Sequence, residues 1–245
     1  MKTSRPFRRG GFFLEAQKEK LISKKNRVYK KEKPGQEGKT YSVEKEFTDA
    51  LRFDTELRVT RALAGSGLSV PRLLRAEAPQ GKSLGKLVYE FIPGPTALEF
   101  LEKEELGEGQ ALLLELIVWL EKFHEAAREK FGEPWILGDI HLRNFIYNPT
   151  NGRLYGLDFE NACPGGIAQD IARLFLFIAT YDPAYTEKKL ALAAFFAEKA
   201  AVAFSLPREA LLQEVRKEAA EMARRRGRAV ETGLLTEIIE RGIIR

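Results

Sequence analysis

The chain is poor in the residues that staple or ligate. Among its 245 residues there is one cysteine, Cys163, and there are two histidines. A lone cysteine closes no internal disulfide, and no cysteine–histidine grouping offers a zinc site. Long apolar runs are also missing. A spanning helix needs roughly 20 apolar residues, and the best stretch, Ala191 to Phe204, is broken by Glu198 and Lys199. The basic N-terminus is not followed by an apolar segment and a small-residue cleavage site, so it does not read as a signal peptide. Nor is there a P-loop. Gly10-Gly11 precedes the first expected strand instead of forming a glycine pattern in a strand-joining turn. These absences point to a cytoplasmic protein that relies on neither disulfides nor structural zinc.

What is present supports a sizeable core. Hydrophobic residues make up 44% of the chain and charged residues 31%. That balance argues against wholesale disorder and suits one large domain or two intimately packed lobes. The net charge of +5 is unevenly spread. Residues 1–33 carry twelve Lys/Arg against three Glu, and a second basic cluster comprises Arg224, Arg225, Arg226 and Arg228. Such patches attract nucleotide phosphates, an anionic substrate, nucleic acid or a membrane surface. Charge alone does not choose among them; nucleic acid is not required, and the oligomeric state is not legible.

The order of elements predicts an α+β protein of two lobes. Short strands are expected at Phe12 to Ala16, Lys20 to Ser23 and Arg27 to Glu32, before a Pro34–Gly38 break. A helix is expected from Val43 to Ala64, where Phe47, Leu51, Leu57 and Leu63 are spaced apolar positions. Extended chain resumes at Val70-Pro71, and Lys86 to Ile92 reads as a strand ending at Pro93-Gly94. From there helices dominate, with Leu112, Leu116, Leu120, Phe123 and His124 forming a stripe over Gln110 to Lys130. Short extended segments at Asn144 to Tyr147 and Arg153 to Phe159 interrupt them, and Pro183 and Pro207 mark later helix boundaries. The expected division is an N-terminal lobe at 1–93 and a C-terminal lobe at 94–245.

The most informative residues are Gly138-Asp139-Ile140-His141-Leu142-Arg143-Asn144, followed by Leu157-Asp158-Phe159-Glu160. The intervening stretch, with Asn151-Gly152 at its centre, is short enough to fold as a hairpin. Two carboxylates and an amide therefore converge on one opening. Their chemistry suits phosphoryl transfer. Asp158 offers anionic oxygen and Asn144 a neutral carbonyl oxygen to magnesium, while Asp139 is suited to accept or orient the proton of a hydroxyl. The same oxygen ligands also suit hydrolysis.

These motifs resemble the eukaryotic-like protein kinase superfamily, especially its compact aminoglycoside/choline phosphotransferase branch. The resemblance spans roughly residues 25–175. It implies a bilobal protein-kinase-like fold, with Asp139 as catalytic base, Asn144 and Asp158 as metal ligands, and Asp170 as the buried helical carboxylate that braces the catalytic loop. His124 and His141 would be structural. Glu160 stands where protein kinases usually have Gly, and Leu137 where this branch commonly has His. The hinge resemblance lies in Val88 to Gly94: adenine would be read by the Glu90 carbonyl and the Ile92 N–H, with Tyr89 limiting the inner pocket.

A phosphate-orienting lysine on the last N-terminal strand, held by a helix carboxylate, is best met by Lys30 and Glu56. Lys31 competes with Lys30, and Glu44 and Glu46 with Glu56. In place of a glycine lid, the Gln17 to Lys20 turn would cover the phosphates, using Lys18 or Lys20. Only about eleven residues separate Asp158 from Asp170, too few for a long peptide-docking activation segment, and Glu160 is available to face a substrate. The expected protein is a magnesium-dependent ATP phosphotransferase acting on the hydroxyl of a small molecule. A compact protein serine kinase or ATPase, or a nucleotide-binding pseudokinase, is the alternative.

Overall fold

The computed structural model describes residues 18–21, 25–35 and 38–242. The expected strand at Phe12 to Ala16 and the Gly10-Gly11 pair lie outside them. Lys18–Leu21 (β1), Arg27–Gly35 (β2) and Gly38–Glu46 (β3) form an antiparallel meander. Leu73–Glu77 (β4) and Lys86–Glu90 (β5) complete a five-stranded sheet in the order β1-β2-β3-β5-β4. Lys18 and Lys20 thus belong to a strand, not to the turn expected there.

The helix expected from Val43 begins only at Ala50 and runs Ala50–Leu63 (α1). Two local causes explain the difference. Asp49 is an N-cap whose side chain accepts the N–H of Leu51 at 2.8 Å and of Arg52 at 3.3 Å, which fixes the helix start. Before it, Tyr41, Val43 and Lys45 alternate with Ser42, Glu44 and Glu46, the period of two that a pleated strand needs. Phe47 and Phe53 meet edge to face at 5.5 Å and, with Leu87, form a small core between sheet and helix. Val59 and Leu63, further along α1, join the larger core of the helical part.

That part contains Ala97–Lys103 (α2), Leu106–Phe131 (α3), the short strands Trp135–Ile136 (β6), Phe145–Asn148 (β7), Arg153–Gly156 (β8) and Cys163–Pro164 (β9), then Ile167–Thr180 (α4), Glu187–Ala203 (α5), Arg208–Arg226 (α6) and Thr232–Gly242 (α7). The connector after β5 is tied to β7, because the Tyr147 N–H donates to the Pro95 carbonyl at 3.0 Å. The result is a bilobal, protein-kinase-like architecture: a mixed sheet-and-helix lobe joined to a mainly helical one. Among the described residues no helix is long and apolar enough to cross a membrane.

The expected stripe on α3 is buried at Leu112, Leu116, Leu120 and Phe123. Trp119 adds a layer the stripe did not include. Its ring stacks on Phe123 at 5.7 Å and Phe159 at 6.5 Å, and meets Phe145 edge on at 5.2 Å. The ring chain joins α3 to β7 and to the residue after Asp158. Gly156 lies under the same ring: a Cβ there would sit 2.1 Å from Trp119. Gly156→Ala should therefore destabilise the protein by about 1–3 kcal/mol, the usual cost of overpacking. Denaturant unfolding measures this, and an unchanged midpoint would show that the Trp119 ring moves aside freely.

Candidate active site

The site is built around a loop whose backbone is held from behind. Asp170, buried in the first turn of α4, accepts the Leu137 N–H at 2.8 Å and also bonds the Gly138 backbone. Burial pushes its carboxyl up to about 7, and those backbone bonds and Arg173 pull the other way. His124 Nε2 lies 3.9 Å from the same carboxylate. Burial and nearby Arg128 lower the His124 imidazole to about 4, so it packs there neutral. Gly138 has φ +73 and faces the Asn161 carbonyl, 2.2 Å from where a Cβ would stand. Only glycine makes that approach without strain.

Past Gly138 the chain presents Asp139 and then turns through Leu142–Asn144, a single 3-10 turn. Asn144 Nδ2 donates to the Asp139 carbonyl at 2.9 Å, which leaves the Asn144 side-chain oxygen as an acceptor. The Leu157 N–H donates to the Asn144 carbonyl at 2.8 Å. Asp158, the next residue, adopts φ +63, a left-handed conformation that aspartate tolerates better than most residues. The β7–β8 hairpin forms as expected, with Asn148 opposite Arg153. Asp139, Asn144 and Asp158 are thereby connected through backbone bonds in one small region.

The lysine at this centre is Lys45, not Lys30. Lys45 Nζ lies 2.5 Å from Glu56, 2.6 Å from Asp158 and 2.9 Å from Glu160. Lys45 is paired with Val28 and Lys30 with Val43, so the two lysines stand one strand and two residues apart. The Lys30 ammonium instead lies over the rings of Tyr41 at 4.5 Å and Phe91 at 4.3 Å. Lys31 pairs with buried Glu44 at 2.7 Å. The cause is β3, which lies between β2 and α1, so the last strand before the helix is Gly38–Glu46 and not the Arg27 to Glu32 strand that carries Lys30. The alternation Tyr41-Val43-Lys45 ahead of a capping Asp49 is the signal that identifies it.

Burial works against the charge on Lys45, but Glu56, Asp158 and Glu160 outweigh it and hold the ammonium firmly protonated. Glu56 is also held by the Tyr89 hydroxyl, which donates to it at 2.9 Å. Tyr89 thus braces the ion pair in addition to filling space. Burial pushes the Glu56 carboxyl up to about 7, against the pull of Lys45.

Glu160 does not face outward as a substrate group. It is 4% exposed, accepts from Arg52 at 3.1 Å and from Asn26 Nδ2, and turns toward the N-terminal sheet. One oxygen from each of Glu56, Asp158 and Glu160 lies within 4.8 Å of the others, and the Lys45 ammonium sits against all three carboxylates. Asp139 is more open. Burial would raise its carboxyl, but Lys25 at 3.2 Å, together with His141 and Arg173, holds it below the usual carboxylate range. At the expected hinge, the Glu90 N–H donates to the Arg72 carbonyl at 3.0 Å and the Ile92 side chain is buried.

A bilobal fold with a carboxylate-and-amide loop facing a lysine–glutamate pair defines the class: kinase- or phosphotransferase-like. The family model described as "APH: Phosphotransferase enzyme family" matches residues 133–205, the stretch holding Asp139, Asn144, Asp158 and Asp170. That stretch lies within the helical lobe, and the match agrees with the bilobal, protein-kinase-like architecture. Among solved structures it is similar to the PK-1 kinase of the Cydia pomonella granulovirus, at 14% identity and TM-score 0.47, over 80% of this chain and 69% of that one. No curated protein sequence matches it.

Removing Lys45 would leave three carboxylates close together with too little compensating charge. Lys45→Met should cost about 3–5 kcal/mol of stability near neutral pH, as when one partner of a buried pair is deleted. Glu56, which burial already pushes up against the pull of Lys45, would then titrate higher still in the folded state, so the deficit should shrink as pH falls and a proton takes the place of the ammonium. Unfolding titrations at pH 5 and pH 8 test this; an equal deficit at both would contradict it.

Proposed function

We propose that the protein is a magnesium-dependent ATP phosphotransferase that acts on a hydroxyl of a small molecule. The observation that carries this reading is the contact of Lys45 with both Glu56 and Asp158, beside the loop that presents Asp139 and Asn144. A lysine fixed by a helix glutamate neutralises nucleotide phosphates, and a neighbouring carboxylate and amide oxygen suit a magnesium ion. Asp158 and Asn144 would hold that ion. The three carboxylates around Lys45 exceed its single charge, and Arg52 compensates only Glu160, so the cluster retains the negative character that favours a divalent cation. When bound, the ion supplies charge compensation for the phosphates.

The remaining steps belong to the chain's own residues. Lys45, oriented by Glu56, holds phosphate oxygens. The Glu90 carbonyl and Ile92 N–H face adenine at the connector between the lobes. Asp139 takes the proton of the acceptor hydroxyl as its oxygen bonds to the terminal phosphorus. The bond from that phosphorus to the bridging oxygen breaks, and ADP leaves with the electron pair. Depression of the Asp139 carboxyl keeps it ionised near neutral pH, the form that accepts a proton.

The small-molecule acceptor is favoured by the short passage from Asp158 to α4. It contains only the two-residue β9, paired with β6, and offers no long segment on which a peptide would dock. A cytoplasmic setting suits an ATP-consuming enzyme of this kind. A compact protein kinase and an inactive nucleotide-binding module are the competing outcomes.

Magnesium-dependent ATP binding, measured by calorimetry, tests the site. Asp158→Ala and Lys45→Met should each weaken it by about tenfold or more, as expected for losing a charge-assisted contact. Lys30→Met and Asp139→Asn should leave it largely unchanged. Loss with Lys30→Met but not with Lys45→Met would overturn the assignment of the phosphate lysine.

A further inference from the structure

Two residues ahead of β2 reach the acidic centre from the N-terminal side, and neither has a role in the reaction above. Asn26 is buried at 7% exposure. Its Nδ2 donates to Glu160 Oε2, across the lobes, and its Oδ1 accepts the Thr48 N–H at 3.3 Å. Thr48 also donates its hydroxyl to the Lys25 carbonyl at 2.9 Å. Lys25 is thus fastened at its backbone, directly beside an anchored neighbour. Its ammonium lies 3.2 Å from Asp139 Oδ2.

An ordinary surface ion pair would carry little meaning, since exposed pairs contribute little energy and cost side-chain entropy. Lys25 is 45% exposed at its side chain and Asp139 38%, so the pair by itself contributes little to folding. The geometry behind it is different. Asn26, Glu160 and Arg52 form a buried polar connection between the lobes, and that connection aims the neighbouring lysine at the carboxylate chosen above as the base. A triphosphate carries more charge and more acceptor oxygens than one carboxylate. An ammonium resting on Asp139 therefore has a better partner once a terminal phosphate lies beside that residue.

We propose that Lys25 is a phosphate-binding residue, parked on Asp139 in the free protein and moved onto the terminal phosphate of a bound nucleoside triphosphate, with the Asn26–Glu160 contact as the anchor that sets its reach. The inference rests on the nucleotide reading of the site. It takes the place of the Lys18 or Lys20 role expected in the sequence, since those residues lie in β1. In the parked state the ammonium occupies the proton-accepting oxygen of Asp139. Its departure frees that oxygen only when a triphosphate is present.

Calorimetric binding of a non-hydrolysable ATP analogue and of ADP, each with magnesium, tests the proposal on the full chain. Lys25→Gln should weaken the triphosphate analogue by about tenfold, the scale of one charge-assisted hydrogen bond, and change ADP affinity by less than about twofold. Lys25→Arg should restore most of the loss. Asn26→Ala should reproduce the selective loss although Lys25 is retained, with thermal melting confirming a folded protein. Equal weakening of both nucleotides, or none, in Lys25→Gln overturns the phosphate role. A selective loss in Lys25→Gln but not in Asn26→Ala overturns the anchor. Wild-type protein that binds neither nucleotide overturns the underlying reading, whereas wild-type binding with an indifferent Lys25→Gln overturns only the present inference.

Discussion

One ammonium group, Lys45 Nζ, is the shared partner of three carboxylates from two separate segments. Glu56 comes from α1, Asp158 from the turn after β8, and Glu160 from two residues further on. Lys45, Glu56 and Glu160 are taken out of water, which is costly, and the mutual attraction within the cluster offsets that cost only when geometry and hydrogen bonds are good. Here Tyr89 completes Glu56, while Arg52 and Asn26 complete Glu160. The set fixes β3 against α1 and joins the sheet to the acidic turn. A small shift of either lobe would leave a charge unpaired.

A second constraint holds the other half of the site. Asp170 bonds the backbone at Leu137 and Gly138, and the close approach of Gly138 to Asn161 sets the direction of the loop. Below it, the Trp119, Phe123 and Phe159 rings pack against one another as near-parallel neighbours, with Phe159 immediately after Asp158. Apolar packing thus anchors one residue while its neighbour turns into the polar cluster. The left-handed backbone of Asp158 is where these opposite demands meet. Core, loop and charge cluster therefore position the same few atoms from different sides.

The parts of this arrangement that lie close together in the chain were legible in the sequence. Asp139, Asn144 and Asp158 fall within 20 residues, the β7–β8 turn carries Asn151-Gly152, and the α3 stripe repeats at helical spacing. Lys45 is hard to recognise in the sequence as the partner of Glu56, because Glu44-Lys45-Glu46 is rich in helix-forming residues and adjoins the following helix. Tertiary pairing with β2 and β5 overrides that propensity. Glu56 lies on a helix as expected, but the lysine it pairs with comes from β3, one strand later than Lys30. Asn26 and Lys25 had no local signal: they meet Glu160 and Asp139 across 134 and 114 residues. Their neighbourhood is simply basic, and nothing in a charge run states which lysine crosses a cleft.

Phosphoryl transfer itself is tested most directly by incubating the intact protein with magnesium and ATP labelled on its terminal phosphate, against a library of hydroxylated small molecules. Label should appear on a small-molecule hydroxyl with wild-type protein and fall by about 100-fold or more with Asp139→Asn, the scale of losing a general base. Label confined to protein hydroxyls, or the same transfer by both proteins, would contradict Asp139 as the base of a small-molecule phosphotransferase.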